Sequence, residues 1–446
     1  MVRVTDMTHG RPIRLILLFS LPLMLGSVFQ QLYTIVDTII IGRGVGMQAL
    51  ASIGAADWIN WLVLWGLQGF TILAAQEFGA GAYDRLRRVL AMIVKLSCWF
   101  GIAVTIISLL LVRPLLTLLH TDPAVFGGAQ TYLYVQFGGS LIIIAYNMAA
   151  AVLRCLGDSR TPLLAILAAS FANIALDLLF VMGFGWGIFG ASFATVLAQL
   201  IAFLLCLRSL RRLPFVQLTK ADWKTDPAIL LHLCRLGIPT GLQMSMITLG
   251  GMVLQSVLNG FGVVFVAGYT AANKLYGILE SASVAFGYAM TAYMGQNRGA
   301  RNAARIDAGI RAVLALSAGF TAAIVTAMLL AGKPLLGLFL STEEAGAADA
   351  LAVAYQYLMA LMAFLFALFV LQAYRSSLQG LGEMTVPTLS GFAEMLMRMG
   401  AALVLPTFIG QSGVFFAEGA AWVCAAALNL VWYYMRIGKI KRDMLK

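Results

Sequence analysis

The chain has 446 residues, 61% of them hydrophobic and only 11% charged, against roughly 45–50% and about 25% in soluble globular domains. That balance excludes a water-soluble domain and predicts an all-α polytopic membrane protein. The surplus of 30 Lys and Arg over 19 Asp and Glu does not imply a nucleic-acid partner, because the basic residues sit in short segments between apolar runs, where they report topology.

Runs long enough to cross the bilayer, roughly 20 helical residues each, lie near 13–41, 50–77, 89–113, 126–152, 161–183 and 188–207. Six more lie near 232–258, 264–294, 310–332, 351–374, 386–408 and 413–436, so twelve transmembrane helices are expected. The first run is too long for a signal-peptide core and no small-residue cleavage site follows it, which predicts an uncleaved first helix. Inside it, Pro22 removes a backbone donor and predicts a helix bend. Asp37 places a carboxylate in the same span, where a charge costs roughly 2.5–3.5 kcal/mol and is expected to face a cavity or a partner rather than lipid.

The longest polar stretch, Ser209–Pro227, separates an N-terminal six-helix lobe (1–208) from a C-terminal one (228–446), with 209–227 as a cytoplasmic linker. With loops assigned alternately, one side holds Arg11, Arg85, Arg87, Arg88, Arg154, Arg160, Arg208, Arg211, Lys220, Arg298 and the basic tail, and the other little beyond Arg43, Arg113 and Lys333. The positive-inside rule then puts both termini in the cytoplasm, and the expected location is a bacterial or archaeal cytoplasmic membrane. The five cysteines are scattered without CxxC spacing, supporting neither a disulfide framework nor a metal site.

The halves repeat. Pro22 in FSLPLMLG matches Pro239 in LGIPTGLQ, AQEFGAG at 75–81 matches GQNRGAR at 295–301, RPLLTLL at 113–119 matches KPLLGLF at 333–339, and LRCLGDSRTP at 153–162 matches LQGLGEMTVP at 378–387. An even number of spans per half makes the repeats parallel, related by a pseudo-two-fold axis along the membrane normal, with a cleft expected between the bundles.

The segment LYTIVDTIIIGRGVG, the AQEFGAG turn, the LGDSRTP turn and the doubled six-helix layout together resemble the multidrug and toxic compound extrusion family over nearly the whole chain. The resemblance is to the branch with its acidic pair in the N-terminal lobe, because the seventh span carries Met246 and Ile247 where the other main bacterial branch has an acid. It implies a secondary active exporter that exchanges H+ or Na+ for amphipathic, often cationic, small organic compounds. No enzyme activity, cofactor or nucleic-acid partner is expected; the chain is expected to work in the lipid bilayer as a monomer. The rival reading is a lipid-linked oligosaccharide flippase of a related doubled-bundle fold, for which a basic central cavity and extra spans are expected. A membrane enzyme finds little support, since only His9, His120 and His232 exist and no GxxxxGK[ST] loop occurs.

The residues themselves converge on a coupling site. Asn173 and Asp177 are four apart and share a helical face. Around a turn centred near Gly185, Asp177 and Thr195 fall at similar depth, and Asp37 is close to the same end of its own helix. Four oxygen-bearing side chains, two of them carboxylates, suit a hard monovalent cation, and a close acid pair lets a proton substitute. The resemblance assigns Asp37, Asn173, Asp177 and Thr195 to the family's cation and proton site, a possible Na+ site, and adds the main-chain carbonyl of Ala191. Taken singly, Asn173 and Thr195 fit better as interhelical packing groups; it is their company with two unpaired acids that points to a coupling site. Candidate cavity residues are Tyr33, Asp57, Met246, Glu280 and Met290. Asp57 either joins the cavity wall or lies at the interface, and Glu280 either faces the cleft or is buried against Lys274 or another helix. Met244, Met294, Tyr288 and Tyr293 add adaptable surface or plain packing. In the second half, Leu254, Arg398 and Ala402 replace Asp37, Asn173 and Asp177, and Glu394 with Arg398 at i and i+4 is expected to form a mutually neutralising structural pair.

Overall fold

The computed structural model describes residues 4–64, 68–118, 121–339 and 346–445. Every element within them is helical. In the first half these are α1 (Pro12–Gly44), α2 (Met47–Leu64), α3 (Ile72–Gly79), α4 (Tyr83–Leu118), α5 (Pro123–Gly138), α6 (Ser140–Cys155), α7 (Arg160–Asp177) and α8 (Gly187–Arg211). The second half comprises α9 (Pro227–Asn259), α10 (Val263–Gly299), α11 (Ala303–Gly337), α12 (Ala347–Gly380), α13 (Thr385–Ile409) and α14 (Ala417–Leu445). With α2–α3 and α5–α6 each taken as one interrupted rod, there are twelve, six on either side of the connecting segment.

Both interruptions have a local cause. The expected span 126–152 is α5 and α6, bent by 52° at Gly139, where an added Cβ would lie 2.5 Å from Val196 of α8. Within the expected span 50–77, α2 is described to Leu64, and beyond residues 65–67 the chain runs through a 3₁₀ turn at Gln68–Thr71 into α3. There Gly69 meets backbone, since a Cβ would lie 2.7 Å from the Leu236 carbonyl oxygen and 2.5 Å from Thr240 Oγ1. Among the described residues nine helices are long and apolar enough to cross a membrane, or ten with the bent α5–α6 pair. The long α10 falls short of that apolarity while burying most of its surface. A helix that faces protein rather than lipid need not be apolar all round.

Lipid-facing character is plain elsewhere. Leu110, Leu330 and Phe408 are 73%, 80% and 79% exposed on mid-chain helices, an apolar surface that water would not tolerate at this extent. Helix starts are capped by acids at the membrane boundary. Asp122 Oδ1 accepts from the Ala124 amide (2.7 Å) ahead of Pro123, and Asp226 accepts from Ala228 (2.9 Å) and Ile229 (3.2 Å) ahead of Pro227. Asp158 takes the amides of Arg160 and Thr161, each at 3.0 Å, at the start of α7. Each supplies an acceptor to amides that have no partner within the helix.

The chain forms two compact units. The first holds the chain up to Asp6 and Leu21–Gly241; the second holds Met7–Ser20 and Leu242–Lys446. Thus α1 changes unit just before Pro22, and α9 just after Pro239. In the first unit Thr5 donates its amide to the Gly157 carbonyl (3.2 Å). In the second, the Met7 amide reaches Gln296 (2.8 Å), and Arg305 donates to the carbonyls of Met7 (2.9 Å) and Gly10 (2.8 Å). The connecting segment is docked on the first unit: Lys95 of α4 donates to the Trp223 carbonyl (2.6 Å) and Thr225 Oγ1 (2.8 Å). Asp222 accepts from the Thr219 amide (2.8 Å) and hydroxyl (2.7 Å) and lies 3.6 Å from Arg87. Burial opposes ionisation of Asp222, but the Thr219 hydrogen bonds and the Arg87 and Arg88 charges outweigh it and hold the carboxyl below its usual range.

Candidate functional site: an acid pair in the first unit

Asp37 and Asp177 meet. Their carboxyls lie side by side across α1 and α7, close enough to act on one another, which no sequence spacing demanded. The approach is made possible one to two turns away, where Gly44 of α1 lies so near Val181 that a Cβ there would come within 2.9 Å of Val181 Cγ1. Ile40 and Ile41 of α1, Ala49 of α2, Val181 and Ala191 of α8 pack in one apolar cluster that fixes this end of the bundle.

Asp177 is the last α-helical residue of α7. The next six, Leu178–Gly183, form a π-helical turn, a widened geometry that recurs at functional sites. The chain then reverses through Gly185 (φ +68°) and Gly187 (φ +56°), conformations that glycine alone adopts without strain. Phe180 stacks on Trp186 at 5.0 Å between centroids and lies 5.9 Å from Phe193, while Phe184 and Trp186 stay exposed. Aromatic rings of this kind favour the membrane–water boundary, and Asp177 lies some two turns before this aromatic turn.

The pair has no compensating charge. Neither Asp177 oxygen nor Asp37 Oδ1 receives a hydrogen bond from a protein donor, and both polar atoms of Asn173 are also without a partner. Asn173 is only 2% exposed and Asp177 not at all. Ionised carboxylates are acceptors only. Two in contact therefore need a proton or a cation between them, and the burial of Asn173 beside them adds an amide oxygen of the same hard-donor kind. Thr195 Oγ1 donates to the Ala191 carbonyl (3.1 Å), so both sequence-assigned atoms of α8 belong to one helical turn. Tyr33, one turn before Asp37, lies close enough for its phenol to feel both carboxylates. Thr34 and Thr38 return their hydroxyls to the carbonyls four residues back, at 2.9 and 2.8 Å, a pattern that loosens helices.

The remaining candidates are placed differently. Asp57 lies on α2 with its side chain outside the described residues. Met246 is half-buried on α9. Met290, Met294 and Tyr293 have no exposed surface, and Tyr293 donates its hydroxyl to the Arg305 carbonyl (3.0 Å), so these three are packing groups of the second unit. Glu280 is not held by Lys274, which is exposed; its carboxyl is hydrogen-bonded with Tyr276 and lies near Glu418 and Arg398.

Glu394 and Arg398 pair as expected, at 3.1 Å, within a larger cluster. Arg375 of α12 holds the other Glu394 oxygen at 2.5 Å, and Arg398 reaches Glu418 of α14 at 2.8 Å and the Ile247 carbonyl at 3.0 Å. Sequence reading missed Arg375 and Glu418 because each lies at the margin of an expected span. The available signal was that any ionisable residue within reach of a span demands a partner.

The MatE family model matches residues 22–179 and 239–404, once in each half. The probable multidrug resistance protein YpnP of Bacillus subtilis is 33% identical, with 99% of this chain and 98% of that protein covered. YoeA of the same organism, also a probable multidrug resistance protein, is 26% identical over 95% of this chain and 94% of its own length. Among solved structures, a MOP superfamily transporter from Pyrococcus furiosus is 25% identical with a TM-score of 0.90, covering 98% of this chain and 99% of that one. A MATE structure in the bent conformation superposes over the full length of both chains, with a TM-score of 0.88 at 24% identity, and shares the fold. A match repeated in both halves, together with full-length similarity to YpnP, places this chain in the MatE family.

Proposed function

We propose that this chain is a multidrug exporter that takes up H+ or Na+ and expels amphipathic, often cationic, organic compounds across a bacterial or archaeal cytoplasmic membrane, with both termini and the 209–227 segment inside. The observation that carries the coupling reading is the placement side by side of half-buried Asp37 and fully buried Asp177, with neither Asp177 oxygen nor Asp37 Oδ1 hydrogen-bonded within the protein. Such a pair binds a proton or a small cation with an affinity set by how closely α1 approaches α7. An ion drives transport only by binding one state better than another. Here Asp37, Asn173, Asp177, Thr195 and the Ala191 carbonyl would supply that difference, and Pro22 is where α1 would bend.

The name of YpnP supports export of drugs by relatives. The Pyrococcus transporter is described as having a binding pocket of reversed polarity and a different function, so the cationic preference here rests on this chain's own acids. The carboxylates of the first unit and the Glu394-centred cluster of the second offer no unpaired basic cavity for a pyrophosphate, which counts against a flippase.

The test is efflux from vesicles driven by an imposed H+ or Na+ gradient. Asp37→Asn and Asp177→Asn should each cut concentrative efflux by roughly 5–150-fold, the range of typical coupling energies, with normal yield and insertion. If both variants concentrate substrate at the normal rate, coupling does not reside in this pair.

A further inference from the structure

In the second unit a groove of about 360 Å³ lies between the start of α1 and α11, lined by Ile13, Ala315, Leu316, Gly319, Phe320 and Ala323. Every lining side chain is apolar. Ala315, Gly319 and Ala323 recur at every fourth position and so share one stripe of α11, and at Gly319 an added Cβ would meet nothing within 4 Å. Across from that stripe, Met7–Ser20 is held at both ends. Arg305 grips the carbonyls of Met7 and Gly10, and the Ser20 hydroxyl donates to the Ala285 carbonyl of α10 (3.3 Å). Ile13 stands between these anchors, 44% exposed.

Charge at one end of the groove sets what can occupy it. Arg311 lies one turn before Ala315 on the same stripe, and Arg11 and Arg14 flank Ile13; all three are exposed and form no ion pair with a described residue. The acid one turn before Arg311, Asp307, is engaged by Lys441. A guanidinium some two turns into a membrane helix requires an anion or a route to water, and its planar fork matches the oxygens of a phosphate. We propose that this groove binds an anionic phospholipid, with one acyl chain along Ala315, Gly319 and Ala323 and the phosphate held by Arg311 and Arg14, and that the bound lipid fastens the first half of α1 to α11. A basic pocket beside apolar helix surface is the chemistry by which anionic head groups are recognised. The site is separate from the acid pair, which lies in the first unit.

The test uses the purified full-length protein in an uncharged detergent, with thermal unfolding followed as phosphatidylglycerol, or phosphatidylcholine with the same acyl chains, is added at matched mole fraction. A ligand of the folded state stabilises it by mass action, so phosphatidylglycerol should raise the unfolding temperature of the wild type more than phosphatidylcholine does. Arg311→Gln should need about fivefold more phosphatidylglycerol for half the effect. Gly319→Leu, whose side chain would occupy the groove, should weaken the response to a similar degree. Should either variant not fold, Arg14→Gln takes its place. Equal stabilisation of the wild type by the two lipids overturns the inference, because the head group is then not read. Inorganic phosphate acting as well as the lipid also overturns it, leaving a site for a free anion. A preference for phosphatidylglycerol that persists unchanged in the folded variants overturns it too, since the lipid then binds elsewhere.

Discussion

Asn173 and Arg398 occupy equivalent places in the two halves, yet their surroundings are opposite. Beside Asn173, Asp37 and Asp177 lie next to one another and neither is in an ion pair with a Lys or Arg among the described residues. Around Arg398, carboxylates and guanidinium groups alternate, from Arg375 through Glu394 and Arg398 to Glu418. A low-dielectric interior tolerates charge when it is paired. The second unit meets that requirement with its own residues and the first does not, so the same repeat yields a charge network on one side and the acid pair proposed for coupling on the other.

The comparison breaks most visibly if the paired side is unpaired. Arg398→Met alone should strand Glu394 and Glu418 and cost about 3–5 kcal/mol, read as lost yield and a lower unfolding temperature. Adding Glu394→Gln and Glu418→Gln should recover much of it. A well-folded Arg398→Met that has lost only transport would instead make this cluster a second functional site.

Next in size is the close approach that brings the acids together. Gly44→Val should push α1 away from Val181 and cost about 1–3 kcal/mol through overpacking. Ion-dependent stabilisation should fall with it, whereas Gly319→Ala, where an added Cβ meets nothing within 4 Å, should leave it unaltered. Equal behaviour of the two would show that the Gly44 contact does not set the geometry of the pair.

The docked connecting segment gives a pH test. Because the Asp222 carboxyl is held below its usual range, its contribution is complete above about pH 4, the ordinary unfolded value, and is lost as pH falls through the depressed folded value. Limited proteolysis in the 209–227 segment should therefore rise in strong acid. In Asp222→Asn it should be fast and independent of pH over that range.

The smallest effect concerns the repeat itself. Gly81 (φ +67°) and Arg301 (φ +55°) close equivalent turns, with amides of Ala82 and Asn302 reaching the carbonyls of Glu77 (3.1 Å) and Asn297 (3.0 Å). Arg301 is the one non-glycine at positive φ among the described residues. Arg301→Gly should stabilise by about 0.5–1 kcal/mol, since glycine relieves the left-handed strain at some cost in chain entropy. A measured loss would mean that the Arg301 side chain does more for the turn than its backbone costs.

Sequence alone determined the class of this protein, its doubling and the two acids proposed for coupling. Apolar runs must be helices in lipid because no other structure satisfies their backbone, and Asp37 and Asp177 stand out because a charge in such a run is expensive. The repeat showed in matched prolines and glycines, which are set by backbone geometry and therefore survive where side chains diverge. What sequence could not decide was which polar groups end without a partner. Asn173 and Glu394 are both hydrogen-bonding residues on apolar helices; spacing paired Glu394 with Arg398, but only packing revealed that Arg375 holds its other oxygen while no described hydrogen-bond partner reaches Asn173. The breaks near Gly69 and Gly139 and the π turn after Asp177 were equally hidden, since each answers to a neighbour distant in the chain: Leu236, Val196 and the reversal into α8. Partnership is a property of three-dimensional distance, and at the acid pair that distance is set by a glycine seven residues away from Asp37 pressing against Val181.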